Sequence, residues 1–213
     1  MNTELIQSHD VLVLPGWQNS GPDHWQSRWE ALHGFRRVQQ HDWMRPLRGD
    51  WLIQLEEAVL RSTRPVVLVA HSLGCIQTAA WASISQQTHR VRAALLVAPG
   101  DVEQADVRPL LPTWQPIALQ RLPFASTLVG SHNDPYCRFE RTQALAQAWG
   151  STLHDMGDAD PRETFGYVAR ELGKRGVIDV LRKGIEHHPA GHFDLFYGTP
   201  SEGNAKAAAL HAQ

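Results

Sequence analysis

Cysteine is scarce in this 213-residue chain, which holds only Cys75 and Cys137. Two cysteines build no disulfide framework, so a packed core must supply the stability, and the scarcity points to a reducing, cytoplasmic setting. Long apolar runs are missing as well. No stretch approaches the roughly 18 residues that would cross a bilayer. The opening MNTELIQSHD is polar, so neither a membrane span nor a secretory signal is expected. An excess of one charge is also absent. The formal net charge is −2 and the pI is near 6.6, so no basic face for nucleic acid or anionic lipid is implied. Internal repeats and low-complexity tracts are not found. What is present is an ordinary globular balance, 42% hydrophobic and 20% charged, with an unusual supply of histidine (12) and tryptophan (8). A chain of this length fits one domain with a sizeable core.

Short apolar runs alternate with amphipathic stretches. Strands are predicted at Val11 to Leu14, Arg37 to His41, Val66 to Val69, Ala93 to Val97, Ala125 to Val129 and Ser151 to His154. Helices are predicted at Asp23 to His33, with Asp23 as N-cap and Trp25, Trp29 and Leu32 as its apolar face, and at Trp51 to Arg61, Gly74 to Ile84 and Phe139 to Trp149. This alternation predicts a three-layer α/β sandwich, a mostly parallel sheet of about five to six strands with helices on both faces. Functional groups in such sheets gather in loops beyond the carboxyl ends of the strands. The loops to watch are Pro15 to Ser20, Ala70 to Gly74 and Gly130 to Pro135.

The segment PVVLVAHSLGC, residues 65–75, carries the chemistry. A serine hydroxyl needs presentation and a base before it attacks a carbonyl. A sharp strand-to-helix turn presents it, and the close backbones there demand small neighbours. Ala70 and Gly74 flank Ser72 in that way, with Ala70 in place of the usual glycine. The plainer alternative makes Ser72 a helix cap. If Ser72 is the nucleophile, the Leu73 N–H at the helix start and the Trp17 N–H in the first loop are the expected oxyanion donors. Pro15-Gly-Trp17 also reads as a tight turn with a packed indole. Asp134, just past the fifth strand, stands where the orienting carboxylate belongs, and Asn133-Asp-Pro135 also reads as an ordinary turn.

VLVLPGWQNSGPDHWQSRWE, LVAHSLGC, LLVAPGDVE and GSHNDPYC together resemble the small serine hydrolases of the retinoblastoma-binding protein 9/YdeN type, from about Val11 to about Ala159. The resemblance implies an α/β-hydrolase sheet, Ser72 as nucleophile and Asp134 as the triad acid. His24 and Trp25 match the family's His-Trp pair. The same resemblance puts the catalytic histidine where this chain has Pro161. His192, after Gly191 in HHPAGHFDLF, is the first substitute as general base, and His132 is a weaker one; His71 adjoins Ser72 but is expected to point away. His187, His188, His192 and Asp194 have metal-ligand chemistry without the spacing of a standard site, and no metal is expected. From about residue 154 to 176 the chain resembles a short old-yellow-enzyme segment, too small to carry a flavin site, so no cofactor is expected. Residues 1–159 are therefore read as the hydrolase core and 160–213 as an atypical C-terminal segment of the same domain. The functional expectation is a serine hydrolase acting on a small ester, with no nucleic-acid or membrane partner and any protein partner unknown. The alternative is a catalytically impaired binding module of the same fold.

Overall fold

The computed structural model describes residues 9–158. Six strands form one parallel sheet: β1 Asp10–Leu14, β2 Arg36–Arg37, β3 Val66–His71, β4 Val91–Val97, β5 Ala125–Gly130 and β6 Thr152–Asp155. Four helices join them: α1 Trp25–His33, α2 Arg48–Leu60, α3 Leu73–Ala82 and α4 Phe139–Trp149. The sheet order is β2-β1-β3-β4-β5-β6. From β1 the chain moves to one side, to β2, then crosses back to β3 on the other side. The strand order therefore reverses at β1 and β3, the place where open parallel sheets bind ligands.

The alternating residues of β3 separate two cores. Val66, Leu68 and Ala70 face one, with Trp51, Trp81, Trp114 and Trp149, all fully buried, from the helices and the β4–β5 connection. Val67 and Val69 face the other, with Trp25, Trp29 and Phe35. Strands covered on both faces must be apolar throughout, which is why VVLVA is a continuous run. The tryptophans are chiefly core. Their indole N–H groups also fasten loops: Trp51 donates to Asp42 O, Trp114 to Pro46 O and Trp149 to Ala118 O.

The expected elements form with modest corrections. The second strand pairs only over Arg36–Arg37, because Val38 donates once more to Val13 O and the chain then departs. Helix α1 starts at Trp25, and its cap is His24, whose Nδ1 accepts from the Gln26 N–H at 3.3 Å; the expected cap Asp23 is exposed. Leu32 is 52% exposed, and the buried face of α1 is Trp25, Gln26 and Trp29. No helix among the described residues is long and apolar enough to cross a membrane.

Candidate active site

Ser72 sits between β3 and α3 with φ 51° and ψ −118°. A side chain rarely adopts positive φ, and holding one there costs on the order of 1–3 kcal/mol. Its side chain makes no capping hydrogen bond to α3. A capping serine relaxes into an extended backbone and bonds the first turn; Ser72 does neither. Its backbone is fixed instead, with the N–H donating to Val97 O at 3.0 Å and the carbonyl accepting from Cys75 N at 3.0 Å.

Three glycines make room for this turn. A Cβ on Gly74 would lie 2.4 Å from Leu14 O, so the first turn of α3 rests directly on the end of β1. A Cβ on Gly16 would stand 2.8 Å from Ser72 Cβ and 3.2 Å from its Oγ. A Cβ on Gly100 would stand 3.3 Å from the same Oγ. The strands on either side of β3 thus each end in a Pro-Gly pair, Pro15-Gly16 and Pro99-Gly100, and both glycines border the serine oxygen. The sequence carries this pairing as a repeated strand-Pro-Gly pattern, yet only Gly74 and Ala70 stand out from the motif itself. Ala70 is fully buried in the α3-side core, which explains a small residue there.

Gly16 carries Trp17 to the same place. Among the described residues neither the Trp17 N–H nor the Leu73 N–H donates to a backbone carbonyl. Gly100 is 3.8 Å from Leu73 N when given a Cβ, so that amide opens toward the same small space. The Trp17 indole packs on the core and donates to Met44 O at 3.0 Å, as the packed-turn reading expects.

Asp134 lies in the loop after β5. Its Oδ1 accepts from the Tyr136 N–H at 2.8 Å. Burial pushes its pKa up, against the pull of the Tyr136 and Cys137 N–H groups. It forms no ion pair with a lysine or arginine among the described residues. Its charge is felt at Cys75, three residues after Ser72, and its loop is tied to the residue after Gly100 by Asp101 N–H donating to Tyr136 O at 2.9 Å. The two thiols at this end of the sheet are buried and held in their protonated form. Burial pushes the Cys75 thiol far above its ordinary value and Cys137 up to about 12.

The histidines divide clearly. His71 turns to the α1 side, its ring 4.8 Å from that of His24 and 6.3 Å from Trp25. Burial, reinforced by His24, lowers its pKa to about 3; burial and then Arg37 lower that of His24 to about 4. His132 turns to the end of β6, with Nε2 3.1 Å from Asp155 and its ring 4.1 Å from Phe139. His192 and Pro161 lie outside the described residues, as does the 160–213 segment. A surface cleft of about 480 Å³ lies at the β2 edge among Glu30, Arg36, Arg37 and Arg61, away from Ser72 and Asp134.

The sequence matches the family model described as "Serine hydrolase" over residues 11–161. No curated protein matches the sequence. A YdeN-like hydrolase from Pectobacterium atrosepticum shares 27% identity and superposes with a TM-score of 0.72, covering 85% of this chain and 95% of its own. The ydeN gene product of B. subtilis shares 19% identity at a TM-score of 0.63, covering 84% and 99%. A propionate-bound esterase, Est2, from Thermogutta terrifontis shares 16% identity at 0.53, covering 86% of each chain. The old-yellow-enzyme likeness of the tail gains no support from the family match, which ends at residue 161.

Proposed function

The chain belongs to the serine hydrolase family, and from that premise we propose that it hydrolyses a small carboxylic ester through an acyl-enzyme. The observation that carries this reading is Ser72, held at positive φ, without a capping bond, between two strand-end glycines. Its Oγ attacks the ester carbonyl while a base takes its proton. The carbonyl oxygen becomes an oxyanion held by the N–H groups of Leu73 and Trp17. Collapse expels the alcohol, which receives the proton, and water then releases the acid by the same steps in reverse roles. Asp134 orients the base. A half-buried carboxylate whose pKa is raised and which has no cationic partner among the described residues can accept a further donor, and an imidazole N–H is such a donor. The base itself is assigned to His192. That the same fold holds propionate in an esterase supports a short acyl group.

Fluorophosphonate labelling tests the reading. Wild type should label and Ser72→Ala should not; equal labelling of both removes Ser72 as the nucleophile. His192→Ala should slow labelling steeply, and an unchanged rate moves the base elsewhere. Pro161, where the resemblance requires histidine, favours a second reading as a hydrolase fold used for binding. Rapid p-nitrophenyl acetate turnover that disappears in Ser72→Ala argues against it.

A further inference from the structure

The chemistry above leaves one buried polar side chain in the His24-Trp25-Gln26 stretch without a role. Gln26 is fully buried in the first turn of α1. An amide buried that deeply is costly unless both ends are satisfied. Its Nε2 donates to Leu14 O and to Val69 O, each at 3.1 Å, and its Oε1 accepts from Ser20 Oγ at 2.8 Å. The opposite orientation would set the amide oxygen against two carbonyls, so only one arrangement fits.

These three partners have a common meaning. Leu14 ends β1, two residues before Gly16. Val69 lies in β3, three residues before Ser72. Leu14 and Ala70 are register partners, so the two strands meet here, at the reversal of strand order. Ser20 closes the loop that carries Trp17. That loop needs fastening, because Gln18 and Asn19 both take positive φ, 67° and 68°. Strained backbone persists only where its surroundings over-determine it. Arg37 supplies the outer fastening: its Nη1 donates to Asn19 Oδ1 at 2.7 Å and to Ser20 O at 2.9 Å, and Glu30 balances its charge. Gln26 supplies the inner one, and its side chain bonds both strands.

We propose that Gln26 is a positioning residue that sets the oxyanion loop against the nucleophile strand, so that the Trp17 N–H and Ser72 meet one reacting carbonyl. The inference rests on the serine hydrolase reading. Gln26 acts through the Leu14 and Val69 carbonyls and not on substrate. A displacement of about 1 Å between donors and nucleophile costs about 100-fold in rate. Donors that tighten only on the transition state change kcat and leave KM alone.

The test uses Gln26→Met, which keeps the length and removes both donors. Active serines are counted by fluorophosphonate titration run to completion, and kcat is expressed per titrated serine. Expected is a fall in kcat of about 30- to 100-fold with KM within about twofold. Affinity for a trifluoromethyl ketone, which forms the oxyanion, should fall by the same factor as kcat/KM. Ser20→Ala keeps both carbonyl bonds, loosens the amide, and should cost about three- to fivefold in the same two readouts. It carries the test where Gln26→Met does not fold. A packing role alone would lower the melting temperature or the titratable fraction and leave kcat per serine and ketone affinity unchanged; that result in the folded variants overturns the inference. If wild type itself does not label, the hydrolase reading falls and takes this inference with it. If wild type labels and the variants match it, only the role of Gln26 falls.

Discussion

The loop after β1 and the loop after β5 reach the same end of the sheet and present their groups in different ways. The first is fixed by close approach and by a dense set of hydrogen bonds: Gly16 touches Ser72, Gly74 rests on Leu14 O, and Gln26 and Arg37 hold Ser20 and Asn19. The second is fixed by hydrogen bonds to the chain after β6, where His132 N–H donates to Gly157 O at 2.8 Å and Asn133 Nδ2 donates to Asp158 O at 2.6 Å. Asp134 is bonded to two backbone N–H groups, while its neighbours Asn133, Pro135 and Tyr136 are exposed. One loop has no space to spare. The other holds a carboxylate at an electrostatic disadvantage. In the proposed reading the nucleophile and its oxyanion donors must be placed to a fraction of an ångström, which close steric approach provides. In the same proposed reading, Asp134 as orienting acid keeps capacity to receive a hydrogen bond from the base.

The comparison breaks first at Asp134. Asp134→Asn removes the charge and keeps the shape, and should lower kcat by about 10⁴-fold in ester hydrolysis assays. Because burial raises the pKa of this carboxyl, the same variant should unfold at a higher temperature at neutral pH, where wild type holds the disfavoured charged form. A variant that loses activity and stability together would show that Asp134 is structural. Next is Gly16→Ala. Its Cβ would stand 2.8 Å from Ser72 Cβ, so the loop must shift, and kcat should fall by about 10²- to 10³-fold with the melting temperature lowered as well. Near-wild-type kcat would mean that the β1 loop yields freely.

The third prediction concerns the imidazoles behind the first loop. Both are ordinary 6.5 groups in the unfolded chain, lowered to about 4 in His24 and about 3 in His71 by folding. Between those values unfolding takes up protons. Stability is therefore complete above about pH 6.5 and falls as pH drops toward 4, by about 1.4 kcal/mol for each unit of depression. His24 also accepts the Gln26 N–H at Nδ1, so protonation removes the cap of α1. Urea midpoints measured from pH 7.5 to 4.5 should show this decline, and His71→Leu should flatten it; an unaltered slope would place the titrating groups elsewhere. The smallest effect is expected far from both loops. Arg64 pairs with Asp10 at 2.6 Å at the start of β1, half exposed to solvent. Arg64→Ala should cost under about 1 kcal/mol and leave kcat unchanged.

Much of the site is legible in the chain itself. Val66 to Val69 is apolar throughout because both faces of the strand are covered, and a serine between small residues at the end of such a run marks a strand-to-helix elbow. Asp134 follows from its place after the fifth strand. His24 is visible as part of a motif, whereas Gln26 does not stand out, because glutamine in a first helical turn looks like surface. Asp23 is the natural cap by residue type, and His24 takes the position because the helix begins one residue later. Leu32 fits helical spacing, yet α1 is short and turns Gln26 inward in its place.

The alternation of apolar runs and amphipathic stretches, with Pro-Gly at two strand ends, by itself determined a parallel sheet with its chemistry beyond the carboxyl ends. That much is local, set by periodicity and backbone preference. Only the tertiary structure decided that β1 and β3 lie side by side, that Gly16 and Gly100 border one hydroxyl, and that a buried amide joins two strand ends. Those contacts link residues far apart in the chain, and no spacing along the sequence encodes which carbonyl a side chain will meet.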